Sequence, residues 1–191
     1  MRPSEITRLF RDCGAWLDGH FILSSGLHSN EYFQCASLLQ HPTLASRVCQ
    51  TLAQRFVTDD VTCVVAPALG GIVVGYELAR HLGVRSIFAE RVDGRLKFRR
   101  SFQVIPKDRV LVVEDVITTG GSVEELITLI RDTGATVVGV GALVDRSGGW
   151  VAFDVKFHAL LSLSLKTYAA SECPLCKEGV PLMKPGSRGL A

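Results

Sequence analysis

The chain has 191 residues, with 21 Lys and Arg against 19 Asp and Glu, a formal net charge of +2 and 47% hydrophobic residues. This length predicts one domain that can bury a core without the help of disulfides or metal ions. The balanced charge and an aromatic content of 7% argue against a nucleic-acid partner. No run reaches the roughly 18–20 apolar residues of a membrane span, and the first residues lack an apolar signal core, so we expect a cytoplasmic protein with no membrane partner.

The six cysteines do not form the pattern of a disulfide framework. Four of them are isolated in apolar or mixed segments, which is typical of reduced, mostly buried thiols: Cys13, Cys35, Cys49 and Cys63. The pair Cys173-x-x-Cys176 is half of a structural zinc site, but no second pair at suitable spacing lies nearby in the sequence, and the histidines form no pair at ligand spacing. We therefore expect no metal ion bound directly by protein side chains.

The first sixty residues predict a helical segment, a loop-rich stretch and a second helical segment. Apolar residues at helical spacing run from Ile6 to Leu17, and a further helical pattern covers 38–56, with a helix boundary at Pro42. Between them, residues 21–33 alternate apolar side chains with Ser, Gly and Asn, which predicts short strands and turns.

From residue 61 onward, short β-branched runs alternate with amphipathic helices. Strands are predicted over 61–66, 85–90, 109–114 and 136–144, and helices over 71–82 and 122–133. This order predicts an α/β fold with a mainly parallel sheet flanked by helices. We expect a single domain over 1–191, with 61–150 as the core sheet and 1–60 plus part of the tail as a small N-terminal hood. Prolines and glycines after Glu172 exclude regular structure in the tail, which is either an ordered extended strap or loose.

Residues 110–122 indicate the chemistry most clearly. An apolar strand ends in Glu114 and Asp115, and a Thr-Thr-Gly-Gly-Ser turn then opens a helix. Ligands of open α/β sheets bind at the carboxyl ends of the strands, where such a turn and helix N-terminus bind phosphate. The two carboxylates can accept hydrogen bonds from sugar hydroxyls and hold Mg²⁺ through water. Because the Walker and dinucleotide motifs are absent, the pattern predicts a ribose 5-phosphate ligand. The alternative is a purely structural one, a capped helix preceded by two solvated acids.

Residues 114–122 resemble the phosphoribosyl-pyrophosphate signature of the phosphoribosyltransferases. Residues 21–32 resemble the N-terminal segment of the orotate phosphoribosyltransferases, and residues 173–181 resemble the tail of one branch of that family, so the resemblance extends from about residue 20 to 188. It implies transfer of 5-phosphoribose from its 1-pyrophosphate to orotate, which gives orotidine 5′-phosphate and pyrophosphate in pyrimidine synthesis. It also implies Mg²⁺ as cofactor and a homodimer with shared active sites.

The resemblance implies a role for each matching residue. The 5-phosphoribosyl 1-pyrophosphate would be bound by Glu114, Asp115, Val116, Ile117, Thr118, Thr119, Gly120, Gly121 and Ser122, together with Arg91. Glu114 and Asp115 would also support positive charge developing on the sugar, and Thr118 and Arg146 would bind orotate. The turn that holds the departing pyrophosphate would be formed by Ala68, Leu69, Gly70 and Gly71, although glycines chosen for backbone freedom alone are the alternative there.

Two oppositely charged segments flank the strand at 109–114. Residues 85–100 contain six cations and two acids, whereas residues 114–125 contain four acids and no base. The resemblance implies a loop here that closes over the leaving group, with Arg95 and Lys97 as catalytic residues; an ordinary solvated face is the alternative. Arg146 follows another buried strand, and its planar guanidinium suits a carboxylate or a pyrimidine edge, with a surface ion pair to Asp145 as the alternative.

Three departures from the family pattern leave alternatives open. Many orotate enzymes have a lysine where this chain has Ser24, some have a lysine in the 68–71 turn, and the closing loop here has no histidine. Another pyrimidine or a purine therefore stays possible as the acceptor base. A regulator that senses phosphoribosyl pyrophosphate and binds nucleic acid is the alternative from another functional class, although the rest of the chain carries no basic surplus large enough to favour it.

Overall fold

The protein is described here by a computed structural model that covers residues 1–23 and 25–185. Ser24, at which the sequence departs from the common lysine, lies outside the described residues, and so do residues 186–191. The helices are α1 (Pro3–Asp12), α2 (Cys35–Leu39), α3 (Pro42–Ala53), α4 (Gly70–Leu82), α5 (Gly121–Arg131) and α6 (Pro174–Lys177). The strands are β1 (Trp16–Ile22), β2 (His28–Phe33), β3 (Cys63–Pro67), β4 (Arg85–Val92), β5 (Arg95–Phe98), β6 (Arg109–Ile117), β7 (Thr136–Asp145), β8 (Phe157–Ser162) and β9 (Thr167–Tyr168).

The centre of the molecule is a six-stranded sheet with the order β5-β4-β3-β6-β7-β8. All neighbouring pairs are parallel except β4 and β5, which form an antiparallel hairpin. Along β6, Leu111 and Val113 point into a core shared with α3 and α4, whereas Val110 and Val112 point into a second core under α5. Because both faces of the strand are buried, β6 is almost continuously apolar, as parallel strands between helices are. The predicted α/β class is confirmed.

The predicted strands and helices of the central region are confirmed to within a few residues. The sheet nevertheless extends beyond the predicted limit of residue 150, because β8 pairs with β7 in parallel. Strand β5 was not predicted from the sequence, because no apolar periodicity marks it. A two-residue turn at Asp93 and Gly94 folds the charged run back on β4. Both turn residues have positive φ angles, 50° and 79°, as a tight hairpin turn requires.

The N-terminal region differs from the helical prediction. Helix α1 ends at Asp12, and Gly14 then adopts a φ of 70°, so that the chain enters β1 at Trp16. The apolar residues 13 and 17 therefore do not continue the helix, because glycine favours this left-handed conformation and ends it. The second segment is two helices, α2 and α3, and the break falls at the predicted boundary, with Pro42 as the first residue of α3.

A second, three-stranded antiparallel sheet forms the hood, in the order β1-β2-β9. The tail reaches it as an ordered segment, since Phe21 and Met183 form a parallel bridge and the Met183 N–H donates to the carbonyl of His20 at 2.8 Å. The prediction that the tail contains no regular structure is wrong in one place, because α6 forms a single turn with Pro174 at its first position, where a missing N–H costs nothing.

The isolated thiols lie as predicted: Cys35, Cys49 and Cys63 are buried and Cys13 is partly so. Burial raises the pKa of the Cys63 thiol to about 11, so this group is not a thiolate at neutral pH. None of the described helices is long and apolar enough to cross a membrane.

Candidate active site

The predicted site residues follow the carboxyl ends of three neighbouring strands. The order of the sheet places β3 between β4 and β6, and β7 beside β6. The turn after β3, the turn after β6 and the segment after β7 therefore lie along one edge of the sheet, where ligands of open α/β folds bind. The sequence prediction that these three segments share one edge is confirmed by the strand order.

The acid pair lies in the last part of β6 and is half-buried. The Asp115 N–H donates to Oε1 of Glu114 at 3.1 Å, and the Val116 N–H donates to Oδ1 of Asp115 at 2.8 Å. Burial, together with the neighbouring charge of Asp115, raises the pKa of Glu114 to about 9. Without a ligand, Glu114 is therefore neutral at physiological pH, and a positively charged ligand would favour its ionised form.

The turn after β3 touches the acid pair directly. A Cβ atom at Gly70 would lie 2.8 Å from Oδ1 of Asp115, and one at Gly71 would lie 3.2 Å from Oε1 of Glu114. These distances are shorter than ordinary contacts, so the close approach of the turn to the carboxylates requires glycine. The interpretation that the two glycines serve backbone freedom alone is therefore incomplete, because neither has a positive φ and both make room for the acids.

The turn after β6 forms a small concave surface of about 60 Å³ lined by Glu114 and residues 116–123. Thr118 and Thr119 are exposed at its rim, and Gly120 turns the chain with a φ of 78° into the start of α5. The first N–H groups of a helix have no partner within the helix, so they are available to an anion at this point. The site thus combines a turn whose N–H groups suit a phosphate with two carboxyl groups on the preceding strand.

Arg146 lies beyond β7, next to the phosphate turn. Its N–H donates to the carbonyl of Ile117 at 2.8 Å, which fixes its backbone against the end of β6. Its Nε is buried and has no hydrogen-bond partner among the described residues. Burial lowers the pKa of the guanidinium, although not enough to make it neutral, and Tyr32 and Cys35 act in the opposite direction. A buried cationic donor without a partner is costly, so a ligand acceptor is expected here.

The positively charged run forms the ordered hairpin of β4 and β5. Arg91 lies on the α5 side, where it donates to the carbonyl of Gly94 at 2.6 Å and pairs with Glu125 at 3.1 Å. Arg95 and Lys97 are exposed and project from the opposite face, since Leu96 between them is buried under α5. In the described part of the chain, Lys97 contacts Asp93 at 3.8 Å rather than the acid pair.

Two further residues near the site were not found from the sequence. Glu125 anchors the hairpin to α5, because its Oε1 accepts from the Leu96 N–H at 2.6 Å while its other oxygen pairs with Arg91. Cys35, at the start of α2, places its thiol 3.9 Å from the carbonyl of Asp115. Neither contact has a local sequence signal, because each joins residues that are 29 or 80 positions apart.

Comparison with known proteins agrees with the fold and the site. The sequence profile described as "Phosphoribosyl transferase domain" matches residues 34–169. That range includes the turn after β3, the hairpin, the acid pair with its phosphate turn, and Arg146. The fold and the site therefore define a phosphoribosyltransferase.

The curated relatives narrow the family. The orotate phosphoribosyltransferase of Desulforamulus reducens is 55% identical over 188 residues, which are 98% of this chain and 98% of that protein. The orotate phosphoribosyltransferase of Chlorobium phaeobacteroides is 56% identical over 188 residues, 98% of this chain and 97% of that protein. The crystal structure of orotate phosphoribosyltransferase from Aeropyrum pernix superposes with a TM-score of 0.70 at 26% identity, over 83% of this chain and 93% of that one. The chain belongs to the orotate phosphoribosyltransferase family.

The raised pKa of Glu114 predicts how the stability of the fold changes with pH. A carboxyl whose folded pKa lies near 9 stabilises the fold fully below its unfolded value near 4.5, and this stabilisation is lost as the pH rises toward 9. Glu114→Gln, which cannot ionise, should match the parent near pH 4, below the unfolded pKa, and melt at an increasingly higher temperature than the parent as the pH rises to 9. A gain of 1 kcal/mol corresponds to about 2–4 °C for a chain of this size.

Thermal unfolding between pH 4 and pH 9 checks this expectation. Glu172→Gln, which changes an exposed carboxyl, serves as the control and should follow the parent at every pH. Parallel curves for Glu114→Gln and the parent would show that Glu114 is already ionised in the unliganded protein.

Proposed function

We propose that this chain transfers 5-phosphoribose from 5-phosphoribosyl 1-pyrophosphate to N1 of orotate, releasing pyrophosphate and forming orotidine 5′-phosphate for pyrimidine synthesis. The observation that carries the choice of base is the buried Nε of Arg146, which has no hydrogen-bond partner within residues 1–23 and 25–185 and lies at the edge that holds the acid pair. Orotate brings a carboxylate and a carbonyl to such a donor, and the guanidinium can bind both with its planar fork. Thr118, exposed at the rim of the phosphate turn, would contact the same base.

The remaining contacts follow from the shape of the site. The turn at 118–122 and the first N–H groups of α5 would bind the 5-phosphate, with the flanking Val116 and Ile117 lining its base. Glu114 and Asp115 would bind the ribose hydroxyls below it. As the bond from C1 of the ribose to pyrophosphate lengthens, positive charge develops on the sugar, and the two carboxyl groups would stabilise it. No covalent enzyme intermediate is needed, because positioning and electrostatics act on both partners.

The donor set of the site fits Mg²⁺. The carboxylates of Glu114 and Asp115 are hard oxygen donors. Burial and the neighbouring charge of Asp115 raise the pKa of Glu114, and a bound cation would lower it again. When bound together with the substrate, Mg²⁺ would neutralise charge on the pyrophosphate. We expect the two carboxylates to hold the ion through water molecules and not by direct ligation.

The leaving pyrophosphate would be held between two segments. The turn of Ala68, Leu69, Gly70 and Gly71 offers backbone N–H groups directly beside Asp115. The exposed Arg95 and Lys97 lie on β5, which β4 separates from β3, and would supply positive charge from the edge of the sheet. Arg91 on β4 would join them only if it left Glu125. We therefore assign the catalytic cations to the exposed face of the hairpin.

We further infer that the chain works as a homodimer. Leu69, Val73 and Tyr76 are exposed by 83%, 42% and 63%, and they lie in the turn after β3 and on the first half of α4. Such a group of large apolar side chains beside the site suits a subunit interface. A cytoplasmic location is part of the proposal, supported by six cysteines that are all in the free form.

The acid pair gives the direct test of the reaction. With Mg²⁺ and 5-phosphoribosyl 1-pyrophosphate, the purified protein should consume orotate, which is measured as a loss of orotate absorbance. Asp115→Asn should fold with an unchanged melting temperature and lose about 10²–10³-fold in turnover, as removal of a main electrostatic group does. The proposal fails if orotate is left unchanged while uracil or a purine is consumed.

Arg146 determines the choice of base in this proposal. Arg146→Lys keeps the charge but loses the fork, so the KM for orotate should rise about 10- to 100-fold, as expected for the loss of one charged hydrogen bond. The KM for 5-phosphoribosyl 1-pyrophosphate should change much less. Arg8→Ala, which removes an exposed arginine paired with Asp12, is the matched control and should leave both values unchanged. An equal rise in the two KM values would remove Arg146 from base recognition.

The subunit interface has its own test. Tyr76→Glu places a charge in the centre of the apolar group on α4, so light scattering should show a shift from dimer to monomer and turnover should fall at least tenfold. Val57→Glu is the control, because Val57 is 65% exposed but belongs to another part of the surface. A dimer that survives Tyr76→Glu unchanged would locate the interface elsewhere.

A further inference from the structure

Four potential metal ligands converge where the tail meets the hood. His20 lies on β1 and His28 on β2. Cys173 immediately precedes α6, and Cys176 lies within it. One ligand atom from each residue lies within 4.8 Å of all the others. None of these residues belongs to the acid pair, the phosphate turn or the base site. We propose that they bind a structural zinc ion that fastens the tail to the hood.

The separations of the ligand atoms are close to those of a zinc tetrahedron. Nε2 of His20 lies 2.9 Å from Nδ1 of His28, 3.4 Å from Sγ of Cys173 and 3.7 Å from Sγ of Cys176, and the last sulfur lies 3.3 Å from Nδ1 of His28. Bond lengths of about 2.0–2.1 Å for zinc to nitrogen and 2.3 Å for zinc to sulfur give tetrahedral edges of about 3.3–3.8 Å. The two remaining separations, from Sγ of Cys173 to Sγ of Cys176 and to Nδ1 of His28, are within 4.8 Å, so shifts of at most about 1 Å would let the four atoms surround one ion.

The tautomer of His20 is already the one that a metal ligand needs. Its Nδ1 lies 2.8 Å from the carbonyl oxygen of Val180, which can only accept, so Nδ1 carries the proton and Nε2 has the free lone pair. Most metal-binding histidines are oriented in this way, by a hydrogen bond that the other ring nitrogen donates. The carbonyl of Val180 is therefore a supporting contact contributed by the same tail segment as the two cysteines.

Hydrogen bonding alone does not explain the cluster. Nδ1 of His28 and the two sulfur atoms all approach Nε2 of His20, which has one lone pair and can accept only one good hydrogen bond. His20 and His28 are 1% and 4% exposed and Cys173 is fully buried, so water can reach the cluster readily only at the exposed Cys176. A single cation at the centre would satisfy all four atoms at once.

The ligand set identifies the metal and its role. Two thiolates and two imidazoles favour zinc over Mg²⁺ and Ca²⁺, which prefer oxygen ligands. The two thiol protons would be released to solvent on binding, and two thiolates would balance the charge of Zn²⁺, leaving a neutral centre whose ligands are buried except for the exposed Cys176. Since all four positions are taken by protein, no position is open for substrate or water, so the ion is structural.

The site would join segments that few other contacts hold together. Apart from the cluster, the tail reaches β1 through backbone hydrogen bonds at Met183, one to the His20 carbonyl and one from the Ile22 N–H at 2.9 Å. One tetrahedral centre would link α6 to β1 and β2, which lie about 150 residues earlier in the chain. Loss of the ion should therefore free the tail and lower the stability of the hood without altering the acid pair.

Elemental analysis of the purified protein, after passage over a chelating resin at neutral pH, tests the proposal. We expect about one zinc per chain in the parent and at least a fivefold lower content in Cys173→Ser and in Cys176→Ser. Cys13→Ser, at a partly buried cysteine outside the cluster, is the matched control and should keep its zinc. Cobalt substituted for zinc should give the intense visible bands of a tetrahedral thiolate site in the parent and in Cys13→Ser only.

A second pair of variants separates ligation from folding. His28→Cys offers another zinc ligand at the same position and should retain most of the metal, whereas His28→Ala should lose it. Removal of zinc from the parent should lower the melting temperature, and added zinc should restore it. A metal-free parent with Cys173 and Cys176 joined as a disulfide, which lowers the mass by two hydrogen atoms, would overturn the proposal, and so would zinc that persists in Cys173→Ser, Cys176→Ser and His28→Ala.

Discussion

The close approach of the β3 turn to two adjacent carboxyl groups is the contact around which the site is organised. Glu114 and Asp115 follow residues 110–113 of β6, which are buried on both faces of the sheet, so their backbone cannot move away from the turn. Gly70 and Gly71 can lie beside the carboxyl groups only because they have no Cβ. The result is a site with surplus negative charge and limited solvent, in which one acid is neutral until a cationic ligand or a developing positive charge arrives.

The other residues along this edge of the sheet supply positive charge that complements the negative charge of the acid pair. Arg146 brings a partly buried positive charge from the next strand, and the hairpin presents Arg95 and Lys97 from the other side. The hairpin's charge is smaller in effect than its sequence indicates, because Glu90 pairs with Arg100 and Glu125 pairs with Arg91. The exposed cations are therefore few, and they lie on the face away from α5. An arrangement of this kind suits a ligand that carries phosphate, hydroxyl groups and a carboxylate-bearing base along one sheet edge.

The central sheet could be predicted from the sequence because its signals are local. The buried run before Glu114 and the alternation of strands with helices fix the order of layers, and the turn motifs then fix the edge at which ligands bind. The charged run was expected to be a loop, because no apolar periodicity marks β5, whose register depends on the turn at Asp93 and Gly94. The apolar pattern of the first helix likewise runs past its true end, since one glycine in a left-handed conformation outweighs the periodicity.

The hood was harder to predict because its contacts join the two ends of the chain. A search for zinc ligands at short spacing finds Cys173 and Cys176 and stops there, although the remaining pair, His20 and His28, is supplied by a hairpin about 150 residues earlier. Each half is unremarkable alone: a Cys-x-x-Cys turn, and two histidines on adjacent antiparallel strands at neighbouring positions of a sheet. Only the tertiary fold turns the two halves into four converging ligands. The same hairpin carries Tyr32, which lies close enough to Arg146 to influence its pKa, so an ion that fixes the hairpin would also help to define the wall of the base site.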